Sequence, residues 1–329
     1  MLLAAMVSLV TIFAGGVPAL ADDDIEIALV VKILGIAWFE RSQVGLEQFN
    51  ADNPGVHAFM VGPSQADAAE QVQIVEDIVS QGVDVMCVIP IDAKALEPVL
   101  ERAREKGIVV MSTEGSDLQN IDYDIEGFDN KAYGEHIMEE LATLMGGEGE
   151  YALTVAQLTA PSHMEWMDAA EAYQREKYPD MIEVCDRVED NDDQQEAYEK
   201  VRELLKTYPN LKGIGNASMP GNPGAALAIE EMNLNDTVSL VGTSLVSVSG
   251  KFLESGAADW IMFWDPAAIA YAMCRVGKMI HDGHGDEVVE GFAIESPYPG
   301  YDNMHIEDKI LVANAWIDVT SENMGDYDY

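Results

Sequence analysis

The stretch VDVMCVIPIDAKALEPVLERAREKGIVVMST, residues 83–113, carries the pattern that decides the fold. It opens with an apolar run, continues with apolar residues at helical spacing between Asp92 and Gly107, and closes with a second apolar run. Asp is favoured at a helix N-cap and Gly just past a helix end. Strands that are apolar on both faces and joined by a helix are typical of a parallel sheet covered on both sides. The stretch therefore predicts a β–α–β unit.

The same alternation of strand and helix repeats along the chain in two successive series. The first covers residues 25–113 and includes a helix with Ser64 as its predicted N-cap, and the second covers residues 150–265. Asp129 marks the start of a long helix between the series, and Pro266 starts the helix of the return crossing. We predict an α/β fold of two similar doubly wound parallel-sheet lobes joined by a three-strand hinge. The predicted bounds are 22–127 plus 265–300 for the N-terminal lobe and 128–264 plus 301–329 for the C-terminal lobe.

The N-terminal stretch MLLAAMVSLVTIFAGGVPALA (1–21) is apolar and ends in a small-x-small pattern typical of signal-peptide cleavage, although no basic residue precedes it. Gly15, Gly16 and Pro18 interrupt the apolar run. A membrane anchor needs about 20 uninterrupted apolar residues. We therefore predict a signal peptide that is cleaved after Ala21 and an exported, periplasmic protein.

The formal net charge of the chain is −41, and its acidic residues are spread over the whole length. Such a chain repels nucleic acid and anionic membranes, so we expect both to be poor partners. An acidic surface also suits saline surroundings, where salt screens the self-repulsion. The spacing of Cys87, Cys185 and Cys274 fits no framework, so we expect buried free thiols, with a disulfide between two of them as the open alternative.

Motifs for phosphate binding, dinucleotide binding and metal-dependent catalysis are missing from the sequence. It contains no G-x-x-x-x-G-K-[ST], no G-x-G-x-x-G after a strand, no H-E-x-x-H and no C-x-x-C. The acidic stretch from Asp190 has Gln195 where a calcium loop has its turn glycine and Val201 at its twelfth position, so residues 191–193 are interpreted as helix caps. No G-x-S-x-G elbow accompanies Ser162. We therefore predict no cofactor, no metal and no catalytic residue.

Polar and aromatic residues recur where the predicted strands end. They are Lys32, Trp38 and Phe39, then Thr113 and Glu114, then Ser162, His163 and Trp166, then Asn216, Ala217 and Met219, and finally Trp264 and Asp265. Each residue alone is better explained as a cap, a core edge or a surface ion pair, but their recurrence at one end of the strands favours a site. Ligands of open α/β sheets bind beyond the carboxyl ends of the strands, so two facing lobes place this site in the cleft between them. Carboxylates, amides, one ammonium and flat rings suit a polyhydroxylated ligand, because charged groups bond hydroxyls strongly and rings cover C–H faces.

The crossings GFDNKAYGEHIMEEL (127–141) and FWDPAAIAYAMCRVG (263–277), with the order of strands and helices, give the chain a family resemblance. It resembles the type I periplasmic sugar-binding proteins, the ribose-binding-like solute receptors of ABC importers, over essentially the whole chain after the signal peptide. Within that class it is most similar to the autoinducer-2-binding and rhamnose-binding receptors. The stretches that carry this closer likeness are VVKILGIAWF (30–39), QVQIVEDIVSQGVDVMCVIPID (71–92), FWD, PGYD and SENMGDYDY (321–329).

The resemblance implies roles for individual residues. Lys32 would contact a ligand hydroxyl, Glu114 stands where the autoinducer-2 receptors have an aspartate, and Asp265 matches a second binding carboxylate. Ala217 and Met219 fall in the loop that offers backbone groups to the ligand. We expect the two carboxylates to keep Lys32 charged, and the rings of Trp38 and Phe39 to form walls for the apolar face of the ligand.

Two departures from the autoinducer-2 receptors affect the expected ligand. Ser162 and His163 stand where those receptors have Asp-Gln, and Glu114 is one methylene longer than the aspartate it replaces. A changed buried hydrogen-bonding position can alter specificity by orders of magnitude. A pentose, a deoxyhexose or a related polyol is therefore at least as well supported as autoinducer-2.

The main functional hypothesis is an exported, monomeric solute-binding protein. It would capture a small sugar-like ligand in the interlobe cleft by hinge closure and deliver it to an ABC permease in the inner membrane. One alternative is a sensor that feeds a chemoreceptor or histidine kinase, and a neighbouring permease and ATPase operon would separate the two. The other alternative is an exported α/β enzyme, which turnover of a bound sugar would establish.

Overall fold

The computed structural model of the protein describes residues 24–329, so the predicted signal peptide lies outside the described residues. The first half alternates β1 (Ile25–Val30), α1 (Ala37–Asp52), β2 (Val56–Val61), α2 (Ala68–Gln81), β3 (Val85–Val88), α3 (Ala93–Glu105), β4 (Val109–Ser112) and β5 (Tyr123–Glu126). The second half continues with α4 (Asn130–Met145), β6 (Glu148–Val155), α5 (Pro161–Lys177), β7 (Asp180–Glu183), β8 (Val188–Glu189), α6 (Gln194–Thr207), β9 (Leu211–Asn216), α7 (Gly221–Glu231), β10 (Ser239–Thr243), α8 (Val246–Ser255) and β11 (Trp260–Phe263). The chain ends with α9 (Pro266–His281), β12 (His305–Glu307), β13 (Ile310–Val312) and β14 (Ile317–Val319).

Two mostly parallel sheets organise these elements. The first has the order β12-β13-β5-β4-β3-β1-β2, and the second has the order β14-β11-β10-β9-β6-β7 with β8 also beside β6. All pairs are parallel except β12 with β13 and β14 with β11. We call the first sheet with α1–α3 and α9 the first lobe, and the second sheet with α4–α8 the second lobe. The predicted α/β fold with two doubly wound sheets is confirmed, with antiparallel strands added at one edge of each sheet.

The third connection between the lobes lies later in the chain than the sequence predicted. The prediction placed 301–329 in the C-terminal lobe, but β12 and β13 join the first sheet, where β13 runs beside β5. The chain therefore crosses between Val312 and Ile317, and only then does β14 pair with β11. The prediction is wrong for 305–312 because two strands of three residues are too short to show periodicity.

Helix boundaries follow local capping chemistry. The side chain of Asp92 accepts a hydrogen bond from the Ala95 N–H at the start of α3, and Asp129 does the same for Ala132 at the start of α4, as the sequence predicted. The predicted N-cap Ser64 is wrong, because α2 is capped by Asp67, which accepts from two N–H groups of its first turn. The Asp67 carboxylate satisfies two backbone N–H groups that have no partner within the helix, so the helix begins after Asp67 and not after Ser64.

Close helix pairs complete each lobe. An added Cβ at Gly45 of α1 would lie 2.1 Å from the backbone oxygen of Ala267 in α9. At Gly134 of α4 it would lie 2.0 Å from the backbone oxygen of Trp166 in α5. Glycine is therefore required at both positions, because the backbones approach too closely for any side chain.

The cysteines and the helices of residues 24–329 bear on two further expectations, the free thiols and the absence of a membrane anchor. Cys87, Cys185 and Cys274 are free, and the first and third are buried as expected, whereas Cys185 is partly exposed. Within that range, none of the helices combines the length and apolar character needed to cross a membrane.

Candidate ligand-binding site

A cavity lies between the two lobes at the carboxyl ends of their strands. About 330 Å³ in and around it is free of protein atoms, part of this space being open solvent. Its walls are Lys32, Ile36, Trp38, Phe39, Glu114, His163, Trp166, Asp192, Ala217, Met219, Thr243 and Trp264. Among them, Lys32 to Glu114 come from the first lobe, and His163 to Thr243 come from the second lobe. Trp264 lies at a crossing between the lobes.

The cleft is closed. Lys32, Glu114, His163 and Asp192 are only 3–6 % exposed. Direct hydrogen bonds join the lobes around the cavity: the Ser116 hydroxyl donates to Glu165 Oε2 at 3.0 Å, and the Thr159 hydroxyl donates to the Ile91 carbonyl at 3.1 Å. A ligand in this cavity would therefore be shielded from water on most sides.

Lys32 and Glu114 form a buried ion pair across the floor of the cavity. The Lys32 ammonium donates to Glu114 Oε2 at 2.5 Å. Burial alone would lower the pKa of Lys32, but Glu114, with Asp192 and Glu126 farther away, outweighs it and holds the pKa above its usual value. Lys32 is therefore charged at every physiological pH and can donate its remaining protons to a ligand.

Glu114 adopts a left-handed backbone conformation with φ of +56°, which is uncommon for a residue with a side chain. Such strain is tolerated where surrounding contacts fix it, and it clusters at binding sites. The contacts here are the Lys32 ammonium and the hydroxyl of Ser162, which lies 3.4 Å from the same carboxylate oxygen. These two groups orient the Glu114 carboxylate at the cavity wall.

His163 is a neutral hydrogen-bonding group. Burial and the nearby Lys32 ammonium hold the pKa of His163 well below its usual range. The N–H of Ala156 donates to Nδ1 at 3.2 Å, which assigns the imidazole proton to Nε2. Nε2 lies 3.9 Å from Glu114 Oε2, beyond hydrogen-bond distance, so its N–H remains available to a ligand.

Asp192 and Trp264 present unsatisfied polar atoms. Asp192, which also has a left-handed φ of +54°, accepts the Ser218 hydroxyl through Oδ1 at 3.3 Å. Its Oδ2 and the indole Nε1 of Trp264 are buried without a hydrogen-bond partner among residues 24–329. Burial raises the pKa of Asp192, although Lys32 partly offsets the effect. Because an unpaired buried polar group is costly, these atoms mark positions where a ligand would supply the partners.

Aromatic rings form the apolar walls. The rings of Trp38 and Trp264 meet edge-on with centroids 4.6 Å apart, and Phe128 packs edge-on to Trp264 at 5.0 Å. The Trp166 indole donates to Asn130 Oδ1 at 2.7 Å, which fixes its plane. Rigid indoles of this kind pack against the C–H faces of a ligand at low entropic cost.

A second layer of carboxyls lies beneath Lys32. Asp124 and Glu126 are adjacent on one face of β5, and Asp124 Oδ1 accepts the Ser112 hydroxyl at 2.6 Å. Burial raises the pKa of Asp124 to about 6, and burial together with Asp124 raises the pKa of Glu126. Burial and the repulsion between the two carboxylates therefore favour the protonated form of this pair.

Comparison with known proteins identifies the family. A family model described as a periplasmic binding protein domain matches residues 27–285. The chain belongs to the periplasmic binding protein family. This confirms the family that the sequence predicted, whose members are ligand-binding receptors of transporters.

Two relatives and two solved structures show the extent of the similarity. The chain is 25% identical over 248 residues to the D-ribose/D-allose-binding protein of Pseudomonas aeruginosa, covering 70% of this chain and 74% of that one. It is 26% identical over 254 residues to the D-allose-binding periplasmic protein of Escherichia coli K12, covering 74% and 80%. LsrB from Clostridium saccharobutylicum in complex with AI-2 has a TM-score of 0.84 at 20% identity, covering 93% and 100%. A solute-binding protein from Clostridium phytofermentas with bound L-rhamnose also has a TM-score of 0.84 at 20% identity, covering 92% and 98%.

Most of the residues predicted from the sequence meet at the cavity of this periplasmic binding protein. Those that line it are Lys32, Trp38, Phe39, Glu114, His163, Trp166, Ala217 and Met219. Their convergence follows from the topology, since each lies at the carboxyl end of a parallel strand or in the first turn or two of the helix after it. Their contact with a ligand stays a prediction.

Three predicted residues do not line the cavity. Ser162 lies behind the wall and holds Glu114, and the Asn216 amide donates to the Thr154 hydroxyl at 2.8 Å. Asp265 accepts two hydrogen bonds from Arg41, at 2.8 and 2.7 Å, and one from the Ala267 N–H. The expectation that Asp265 keeps Lys32 charged is wrong, because Asp192 and Glu126 occupy that role with Glu114.

Three lining residues were missing from the prediction, namely Ile36, Asp192 and Thr243, and Trp264 was named at a strand end but given no binding role. Asp192 was interpreted as a helix cap, but Asp193 caps α6 while Asp192 turns into the cavity. The strand β8 just before it has only two residues, too few to show in the sequence that Asp192 stands at a strand end. Trp264 lines the cavity, whereas the side chain of the next residue, Asp265, is bound by Arg41.

Metal binding finds no support in the described part of the chain. Among residues 24–329, no three His, Cys, Asp or Glu side chains are arranged to hold a metal ion. The site geometry instead offers hydrogen-bond donors and acceptors around a small, ring-lined space.

Proposed function

We propose that this periplasmic binding protein is an exported receptor for a small, neutral polyhydroxylated ligand, such as a pentose, a deoxyhexose or a related polyol. The observation that carries the proposal is the closed cavity in which the buried Asp192 Oδ2 and Trp264 Nε1 have no partner among residues 24–329. Hydroxyl groups both donate and accept, so one polyol satisfies both atoms at once.

The arrangement of charges favours a neutral ligand. The one ammonium of the cavity wall, that of Lys32, is already paired with Glu114, and Asp192 adds a second carboxylate. A sugar acid or a sugar phosphate would place its negative charge among these carboxylates in a low dielectric, which is strongly unfavourable. Hydroxyls that donate to Glu114 and Asp192 gain charge-assisted hydrogen bonds instead.

Capture requires the lobes to move apart and close again. The wall residues are almost fully buried, so a ligand cannot enter while the hydrogen bonds Ser116–Glu165 and Thr159–Ile91 hold the lobes together. Rotation about the three connecting segments near 127, 265 and 313–316 opens the cleft. The closed, liganded form then docks on the permease of an ABC importer.

His163 makes the hydrogen-bonding groups of this site different from those of an autoinducer-2 receptor. Its neutral ring offers a single N–H donor next to Glu114, where the autoinducer-2 receptors have an amide beside a carboxylate. A site that presents a different donor set rejects the original ligand by a large factor. We therefore propose a sugar or polyol rather than autoinducer-2, in line with the ribose- and allose-binding relatives.

The decisive experiment identifies what the cavity holds. The chain expressed with residues 1–21 is purified from the periplasm, its N-terminus is sequenced, and small molecules released on unfolding are identified by mass spectrometry. Calorimetric titration then follows with D-ribose, D-allose, L-rhamnose, D-arabinose and autoinducer-2. We expect a mature N-terminus at Asp22, a monomer, and micromolar or tighter binding of one sugar without turnover.

Two variants tie the binding to the cavity. Asp192→Asn removes the charged acceptor, and we expect it to weaken binding by about 10- to 100-fold, as for a charge-assisted hydrogen bond. Asp186→Asn makes the same chemical change at an exposed position and should bind like the native protein. Absence of binding for every compound, or equal affinities for the two variants, would contradict the proposal.

A further inference from the structure

A contact outside the cavity also joins the two lobes. It involves Tyr329, which lies in the segment after β14 and is attached to the second lobe. The N–H of Ser247 in α8 donates to the Tyr329 carbonyl at 3.2 Å. The Tyr329 ring packs edge-on against Phe263 of β11, with centroids 5.8 Å apart. Both anchors belong to the second lobe, so Tyr329 moves with that lobe.

The partner of the Tyr329 ring comes from the first lobe. The guanidinium of Arg41 in α1 lies 4.1 Å from the centroid of the ring. Arg41 is held in place by Asp265, which accepts hydrogen bonds from its Nε and Nη2 at 2.8 and 2.7 Å. The two side chains of this ion pair are 22% and 12% exposed, so solvent screens the charges only partly. An oriented, partly desolvated guanidinium over an aromatic face is a favourable cation–π contact.

The position of the contact relates it to closure of the cleft. Arg41 lies one helical turn after Trp38, whose ring packs on Trp264 in the cavity wall. Because α1 packs on α9 and β2 of the first lobe, the guanidinium moves with that lobe. The guanidinium and the ring belong to different lobes, so rotation about the nearby connecting segment at 265 changes the geometry of their contact.

We propose that Arg41 and Tyr329 form a latch that stabilises the closed cleft and slows release of the ligand, an inference that rests on the hinge closure of the proposed function. The latch acts outside the ligand site and adds to the affinity without touching the ligand. A cation–π contact of this kind corresponds to about a 2- to 30-fold change in an equilibrium constant.

Tyr329→Ala is the informative variant, because it removes the ring and leaves the Arg41–Asp265 pair intact. Tyr329→Phe keeps the aromatic face and should behave like the native protein. Tyr327→Ala removes a ring that packs edge-on against Phe263 at 5.7 Å and against Tyr329 at 6.4 Å, so it controls for loss of packing in the segment. Removal of Arg41 would be ambiguous, since it leaves Asp265 unpaired.

The first measurement is the dissociation rate of the sugar found in the titrations. We expect Tyr329→Ala to release it about 2- to 30-fold faster with little change in association rate, while Tyr329→Phe and Tyr327→Ala match the native protein. An unchanged dissociation rate in Tyr329→Ala, or an equal increase in Tyr327→Ala, overturns the latch.

A second measurement keeps the latch testable if no sugar binds and the proposed function fails. Spin labels at Glu101→Cys in α3 and Lys200→Cys in α6, in a Cys185→Ser background, report the distance between the lobes. In the ligand-free protein we expect Tyr329→Ala to deplete the short-distance population relative to Tyr329→Phe. Identical distance distributions for these two variants then overturn the proposal.

Discussion

Lys32 shows how a charge can be kept in the interior of a closed cleft. Its ammonium and the Glu114 carboxylate are 4% and 6% exposed, so each has lost its hydration. The hydrogen bond between them stabilises both charges in place of the lost hydration, and the nearby Asp192 and Glu126 stabilise the ammonium further. Removing both charges of such a pair costs little stability, whereas removing one leaves an uncompensated buried charge.

We expect Lys32→Met to lower the free energy of unfolding by about 3–5 kcal/mol, because Glu114 is left buried without its counter-charge. The double variant Lys32→Met/Glu114→Gln should recover most of this loss and still fail to bind the ligand. Urea denaturation and calorimetry at pH 7 measure the two effects. Lys200→Met, which disturbs an exposed pair with Glu196, is the matched control and should unfold like the native protein. Equal stability of the single and double variants would show that the pair is not coupled.

The candidate site could be predicted residue by residue only where topology decides the outcome. Lys32, Glu114 and His163 were found because parallel strands bring their carboxyl ends to one edge. Trp264 lines the cavity and Asp265 does not, because neighbours in an extended segment face opposite sides, and the sequence does not show which side is the cavity. The pairing of Asp265 with Arg41 depends on the approach of α1, which no local pattern encodes.

At the level of elements, the βαβ units were predictable and the third crossing was not. β1, β3 and β4 are continuous apolar runs whose burial in a parallel sheet follows from composition. β12 and β13 have three residues each, and their place beside β5 depends on long-range pairing. Short segments carry too little periodicity to specify a partner.

Strand β5 brings together two acids that make stability depend on pH. Asp124 and Glu126 have raised pKa values in the folded protein, that of Asp124 at about 6, whereas both titrate near pH 4 when unfolded. Between these values the folded state binds more protons than the unfolded state, so the free energy of unfolding falls as pH rises from about 4 through 6 and beyond.

We expect Glu126→Gln to reduce the fall in stability between pH 5 and pH 8, because the amide does not titrate and so removes one of the two raised pKa values. Urea denaturation at several pH values measures the slope. Glu203→Gln makes the same change on the surface of α6 and should keep the native slope. A slope that is the same in Glu126→Gln and in native protein would show that the β5 acids do not share a raised pKa.

The contact of α1 with α9 gives a prediction about packing. Gly45→Ala would place a methyl group 2.1 Å from the Ala267 carbonyl oxygen, so the helices must move apart. We expect a loss of about 1–3 kcal/mol in the free energy of unfolding, measured by urea denaturation. Gly325→Ala is the control, because no atom apart from those of its chain neighbours lies within 4 Å of the added methyl, and it should unfold like the native protein. Similar stabilities of the two variants would contradict the close approach.

At the scale of the whole molecule, the surface carries a large excess of negative charge, whereas the buried charges of Lys32 and Glu114 are paired. The net charge of −41 lies mostly on exposed side chains, where unlike the buried Lys32–Glu114 pair it is screened by dissolved salt. The compact state concentrates these carboxylates, and their repulsion favours the unfolded chain. Stability in dilute buffer is therefore lower than the packing of the two lobes alone would give.

We expect the melting temperature to rise steeply with NaCl up to about 0.5 M and then to level off, because the screening length falls from about 10 Å at 0.1 M to about 3 Å at 1 M. KCl should act equally, since screening depends on ionic strength and not on the cation. Calorimetric melting curves at constant pH measure the effect. Sodium sulfate at equal ionic strength is the control, because sulfate also stabilises proteins by exclusion from their surface. A rise that continues unchanged above 1 M, and is much larger in sulfate than in chloride, would show that exclusion and not charge repulsion limits the stability of this acidic protein.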